Sequence, residues 1–303
     1  MQASLKVLYP VKRHSTEAAI ALLLAMLYVP LIWYWIDGWL NKSISIEHEY
    51  FSYALIGFPY AAWIAWQSRH QWRNNLPSSG SFWGMSLLAL AATFYLSPVQ
   101  NLINLSFPLM LGAGVLILKG LSGLRLMRWP LLFVLLATPT ELPYLIAPYL
   151  MPVQRLNAAI AAFLLTQIGM DVSVDQIYIL VNERIVEVAP YCAGLKMLMT
   201  CLYVALMMLH WTGNLRSRPK AFSLLAGAAL ISVVGNIVRN TLLTFFHGTG
   251  RTDWFEWLHA SWGGDVFSAL LLLSVVLLMN GIDRVAHSLT LSPAGSAGQD
   301  NFF

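Results

Sequence analysis

The chain has 303 residues, of which 58% are hydrophobic and only 11% charged, with a net charge of +4 and a mean hydropathy of +0.63. Soluble domains carry about 25% charged residues to solvate their surface, so this composition excludes a soluble globular enzyme, a disordered chain and a secreted disulfide scaffold. It points to an integral membrane protein whose surface faces lipid.

A bilayer crossing needs about 17–25 apolar residues. Such runs predict eight spans: 17–36, 50–66, 82–97, 102–118, 130–150, 192–211, 221–246 and 265–282. The expected fold class is therefore all-α, a polytopic bundle of about eight transmembrane helices. The second to fourth spans are short, and Pro139, Pro143 and Pro148 interrupt the fifth. The first follows Lys12, Arg13 and His14 as a signal peptide would, but no small-residue cleavage site follows it, so it reads as retained. Residues 152–169 suit a short helix or part of a bent span. Residues 172–188, VSVDQIYILVNERIVEV, alternate around Asn182-Glu183 and predict a small β-hairpin on the outer face. The tail, LSPAGSAGQDNFF, is small, polar and expected to be disordered. The expected organisation is 1–129 with the first four spans, 130–282 as the chemical core and 283–303 as a short cytoplasmic tail.

Charge orients the spans. Lys6, Lys12, Arg13, Arg69, Arg73, Lys119, Arg125, Arg128, Arg216, Arg218, Lys220 and Arg284 fall on one side, twelve of the 18 basic residues. By the positive-inside rule both termini are then cytoplasmic, in a multi-pass protein of the cytoplasmic (inner) membrane. The basic residues are used in orientation, so no nucleic-acid partner is expected.

Ionisable groups inside spans are costly and are functional candidates by default. On this topology three reactive types reach the outer boundary: Cys192 at the start of span six, Arg239 within GNIVRN of span seven, and His259 within WLHASWGGDVF of the following loop. Cys192 heads a helix, where unpaired N–H groups lower a thiol's pKa. Lys196, four residues on, shares its helix face. Arg239, with Asn236 at i−3, could stabilise an oxyanion. His259 could serve as acid and base, with His247 a serious rival and His48 another outer histidine. Taken singly, each has a plainer reading: an inert buried thiol, an arginine snorkelling to the interface, a hydrated loop histidine. Cys201, among Leu and Met, takes that plainer reading. Nine helical residues separate it from Cys192 by about 13 Å, too far for a disulfide. Glu187 and Asp265 border the proposed site, and Glu141 is an intramembrane carboxylate with no evident partner. No ligand spacing for a metal and no phosphate-cradling loop occurs, so neither metal nor cofactor is expected.

At these residues the chain resembles the exosortase/archaeosortase family of membrane proteins. EVAPYCAGLKML is similar to its Cys-(Ser/Ala)-Gly motif through Cys192 and Gly194, with Ala193 where Ser is common. GNIVRN resembles its Asn-x-x-Arg pattern through Asn236 and Arg239, and HASWGGDVF its His-x-x-x-Gly-x-x-x-Phe pattern through His259, Gly263 and Phe267. The likeness covers roughly residues 130–282. It implies a Cys-Arg-His transpeptidase or protease, convergent in task with Gram-positive sortases. Cys192 would be nucleophile, Arg239 transition-state stabiliser and His259 general acid/base, which favours His259 over His247. The implied substrates are exported proteins ending in a short motif such as Pro-Glu-Pro (PEP-CTERM-like), a transmembrane helix and a basic cluster, with membrane lipid around them and an envelope amine as a possible acceptor. Two other classes fit the composition: a non-catalytic membrane assembly protein, and a transporter with Glu141, Lys196 and Arg239 along its path, although a transporter's internal repeat is missing.

Overall fold

The structure, a computed structural model, describes residues 3–41, 44, 46–74, 81–189 and 194–291. It is a helical protein with one small sheet, and it divides into two compact units, Met1–Leu145 and Ile146–Phe303. Among the described residues four helices are long and apolar enough to cross a membrane, in the segments Leu22–Asn41, Gln100–Leu126, Arg218–Gly248 and Trp262–Ser288. Further apolar helices, Phe82–Tyr95, Arg128–Ala137 and Leu195–Trp211, are shorter. An all-α membrane architecture is thus present, but helix length by itself supports four crossings rather than the eight expected.

The first unit contains α1 (Ala3–Asn41), α2 (Ile46–Glu49), α3 (Ala54–Gln67), α4 (Arg69–Asn74), α5 (Ser81–Tyr95), α6 (Gln100–Leu126) and α7 (Arg128–Ala137). It packs α5 along α6 and α3 against α7. Gly84 permits the first contact: a Cβ there would lie 2.7 Å from Ile117 Cγ1 and 3.0 Å from its backbone nitrogen. Small residues let helix backbones approach in lipid, where polar side chains then bond across helices. Trp35 Nε1 accordingly donates to Asn104 Oδ1 (3.0 Å) and the Tyr28 hydroxyl bonds Ser106 (2.9 Å). α6 is broken at Gly120, whose φ of 64° only glycine adopts cheaply. The neighbouring Lys119 is 1% exposed, with its ammonium 5.3 Å from the Trp72 ring.

The expected fifth span is not one helix. After α7 ends at Ala137 come α8 (Leu142–Ile146) and a 3₁₀ turn, Ala147–Leu150. Pro139, Pro143 and Pro148 account for this, since each removes a backbone donor and disfavours helix in the preceding residue.

The second unit continues with α9 (Met151–Gln167), three strands, α10 (Leu195–Trp211), α11 (Arg218–Gly248), α12 (Thr252–His259) and α13 (Trp262–Leu291). α11 is its hub, packed against α9, α10, α12 and α13. Cys201 lies 1% exposed in an apolar cluster with Leu209, Leu224, Val275 and Met279, the inert setting expected for it. The sheet is antiparallel in the order β1 (Val172–Asp175), β2 (Tyr178–Val181), β3 (Arg184–Glu187). Asn182 and Glu183, at φ 46° and 65°, make the expected turn between β2 and β3, the doubly left-handed type that matches strand twist. The expected hairpin gains a third strand because a second reversal, with Gln176 at φ 57°, hides inside the alternating run.

His48, in α2, is buried with Nε2 donating to the Trp35 carbonyl (3.0 Å) and its ring stacked on Trp39. Burial pushes its pKa below the ordinary imidazole value, outweighing the Trp35 bond and the nearby Glu49 charge. A base depressed in the fold contributes its full stability above the unfolded pKa of about 6.5 and loses it as pH falls through the folded value. Thermal stability of the detergent-solubilised chain should therefore drop between pH 7 and 5. His48→Gln should flatten that slope, and parallel melting profiles would contradict this assignment.

Candidate active site

α11 presents a polar ridge. Asn236, Asn240, Thr244 and Gly248 recur every four residues and all are buried, so they lie one above another on one face. Its two ends meet different elements. At the lower end Gly194, the residue before α10, has φ 94° and rests on Asn236. A Cβ at position 194 would lie 2.7 Å from Asn236 Cγ and 2.9 Å from Nδ2. The glycine of the Cys-Ala-Gly motif and the asparagine of Asn-x-x-Arg thus touch. At the upper end Gly248 receives the sheet: a Cβ there would sit 2.7 Å from both Val181 methyls. Arg184 Nη1 donates to the His247 carbonyl (2.9 Å) and Asn182 Nδ2 to that of Gly248 (3.2 Å). Donors at a helix C-terminus satisfy its last carbonyls, and the Arg184 charge complements its dipole.

Beyond α11 the chain reverses at Gly250, φ 72°, and α12 returns to the site. Arg239 Nη2 reaches the Leu258 carbonyl at 3.5 Å, so the guanidinium lies against the residue that precedes His259. The His259 ring stacks on Phe255, centroids 5.2 Å apart and 9° from parallel. Spacing of i, i+4 on α12 makes that pair. His247 meets the same phenyl ring at 5.5 Å, so Phe255 contacts both rival histidines. The corner into α13 depends on Gly263, where a Cβ would stand 2.5 Å from Trp257 Cδ2 and 2.6 Å from the Trp257 carbonyl oxygen. The Gly at +4 from His259 therefore lets α13 start tight against α12.

His259 opens onto a cavity of about 250 Å³ lined by Ile185–Val188, Asn240, Leu243, Thr244, His247 and Phe255. Glu187 of β3 thus reaches the same space as His259. Lys196 lies half-buried in the first turn of α10 and Asp265 is exposed in the first turn of α13. Neither is among the described residues that line the cavity. Glu141 belongs to the first unit, where its backbone N–H bonds Asn101 Oδ1 (3.2 Å). Cys192 falls outside the described residues. The residues that sequence reasoning missed are Asn240 and Thr244. Their signal was legible as Asn-x3-Asn-x3-Thr-x3-Gly, one polar stripe on an otherwise apolar helix.

Two substitutions test this packing. Gly194→Ala pays about 1–2 kcal/mol for the left-handed backbone alone and drives a methyl into Asn236. Gly263→Ala pushes against a backbone oxygen that has no rotamer to escape into. Each should lower the melting temperature. If Gly281→Ala, a helical site with open space around it, destabilises the chain as much as either, the close approaches are not what demands glycine.

Among comparisons with known proteins, no curated protein and no solved structure matches the chain. The family model described as transmembrane exosortase (Exosortase_EpsH) matches residues 35–276. That span contains Gly194 and Asn236, which touch, Arg239, which reaches Leu258, and His259 and Gly263 of the α12–α13 corner. The chain therefore belongs to the transmembrane exosortase family.

Proposed function

We propose that this chain is a membrane-embedded cysteine transpeptidase or protease that removes the C-terminal sorting signal of exported proteins. The observation that carries the reading is the Arg239 contact with the carbonyl of Leu258, the residue that precedes His259, in a family of membrane exosortases. Cys192 enters by its place in the sequence, two residues before the Gly194 that rests on Asn236.

The chemistry balances as follows. The Cys192 thiolate attacks the scissile carbonyl carbon, and the carbonyl electrons move to oxygen, where the Arg239 guanidinium stabilises them. Collapse expels the substrate's C-terminal portion as an amine, which takes a proton from His259. A thioester to Cys192 remains. Water or an acceptor amine then attacks it and yields its proton to His259, and the Cys192 thiolate leaves with the electron pair of the broken C–S bond. A site that limits water favours the amine.

The proposed substrate carries a motif such as Pro-Glu-Pro, a transmembrane helix and a basic cluster. The proposed topology has eight crossings, with α3, α5 and α10 as short ones and residues 130–150 as a broken one, both termini cytoplasmic and the site on the outer face of the cytoplasmic membrane. Lys196 and Glu187 have supporting roles in this scheme, adding positive potential near the thiol and orienting His259.

With a reporter bearing such a tail, Cys192→Ala and Cys192→Ser should each lower processing by at least ~1,000-fold at wild-type abundance. Arg239→Lys, which keeps charge but loses the planar fork, should cost ~100- to 1,000-fold. His259→Gln should cost ~100- to 10,000-fold and His247→Gln far less. Full activity in either Cys192 variant would end the thiol mechanism, and a larger loss at His247 would reassign the acid/base. Topology is tested separately: a periplasm-dependent phosphatase fused after residue 188 should be active and one fused after residue 216 inactive, and the reverse pattern would invert the chain.

A further inference from the structure

The cavity beside His259 is lined by four consecutive residues, Ile185, Val186, Glu187 and Val188. Side chains of a strand alternate between faces, so four in a row cannot line a space by one face. What they share is the main chain, and the cavity therefore meets an edge of β3. The other edge is occupied by β2, because the sheet order is β1-β2-β3.

The turn fixes which groups point outward. A two-residue loop closes on Val181 opposite Arg184, and Ile179 then stands opposite Val186. In such a hairpin these are the pairs that exchange ladder bonds. The Val188 N–H continues the pattern by donating to the Ile177 carbonyl at 2.9 Å. Ile185 and Glu187 hold the intervening positions, so their N–H and C=O groups face away from β2, into the cavity. Across the cavity stand Asn240 and Thr244 of α11 and His259 of α12. Thr244 is 0% exposed, and its hydroxyl has no hydrogen-bond partner among the described residues.

We propose that the edge of β3 opposite β2 takes an extended stretch of the polypeptide substrate as a fourth strand, which carries the scissile bond toward His259. The proposal rests on the substrate class of the reading above and adds how that substrate is held. Main-chain groups of Ile185 and Glu187 pair with one edge of the added strand. Its other edge meets the Thr244 hydroxyl, which can both donate and accept, in the stretch of α11 that also carries Asn240. Recognition of this kind reads backbone geometry first and side chains second, so the segment tolerates varied side chains provided that it is extended and free of proline at the paired positions.

The test uses the full-length Cys192→Ala chain in detergent, so that binding is read without turnover. The probe is a fluorescent synthetic peptide comprising a Pro-Glu-Pro motif, the ten residues before it and a transmembrane helix. Replacing its amides one at a time by esters should weaken binding about 3- to 10-fold at alternate positions and little between them, the cost of one hydrogen bond. Ile185→Pro removes an N–H that β2 does not use, a place where an edge strand accepts proline, and should raise Kd about tenfold with unchanged thermal unfolding. A flat ester scan, or wild-type affinity in a stably folded Ile185→Pro chain, overturns the edge pairing. If Ile185→Pro does not fold, the ester scan decides alone. A wild-type chain that cleaves the peptide while the scan is flat defeats only this proposal. One that binds it with period-two losses yet never cleaves it defeats the catalytic reading, and a peptide neither bound nor cleaved defeats both.

Discussion

One helix face organises the second unit. α11 is 31 residues long and apolar enough to cross a membrane, yet it buries Asn236, Asn240 and Thr244 on one side. Burying such groups without partners is expensive in a lipid-surrounded protein, so that face must be covered by protein. The covering elements are those that hold the motifs: the Gly194 turn over Asn236, α12 over Arg239, and the sheet over Gly248.

Close approach demands glycine at both motif positions, and at Gly194 the left-handed backbone demands it as well. At Gly194 and Gly263 any side chain would overlap an amide or a backbone oxygen. Each occurs inside a short motif beside a reactive residue, so the motif glycines and the reactive residues are parts of one packing problem. The glycine brings its element close enough for the neighbouring polar group to act. Arg239 illustrates the result, since its guanidinium reaches Leu258 only because α12 folds back over α11 after Gly250.

The sheet holds its position through both neighbours. Gln154 of α9 donates to the Val188 carbonyl at 2.8 Å, while Arg184 and Asn182 tie the turn to the end of α11. Ala158, Ala161 and Ile179 fill the space between α9 and β2. Anchored at both ends, β3 keeps an edge beside His259 that no other strand covers among the described residues. An exposed edge is ordinarily a liability, and its retention next to the reactive histidine gives it a use.

Much of this was legible in the sequence. Low charge and long apolar runs determine a membrane protein, since nothing else tolerates so little solvated surface. Alternation around Asn182-Glu183 determines a hairpin, and the resemblance to the exosortase motifs is what favours His259 over His247 and points to Arg239 and the two motif glycines. Other features needed tertiary structure. The number of membrane-length helices could not be read from hydropathy, because Pro139, Pro143 and Pro148 break an apolar run without making it polar. The third strand was hidden because a turn at Gln176 leaves the alternation intact. That Gly194 touches Asn236, that Arg239 reaches Leu258, and that Thr244 and the β3 edge share a cavity with His259 all join residues distant in the chain. Local preference sets periodicity and turns. Only packing against α11 decides which of those faces meet.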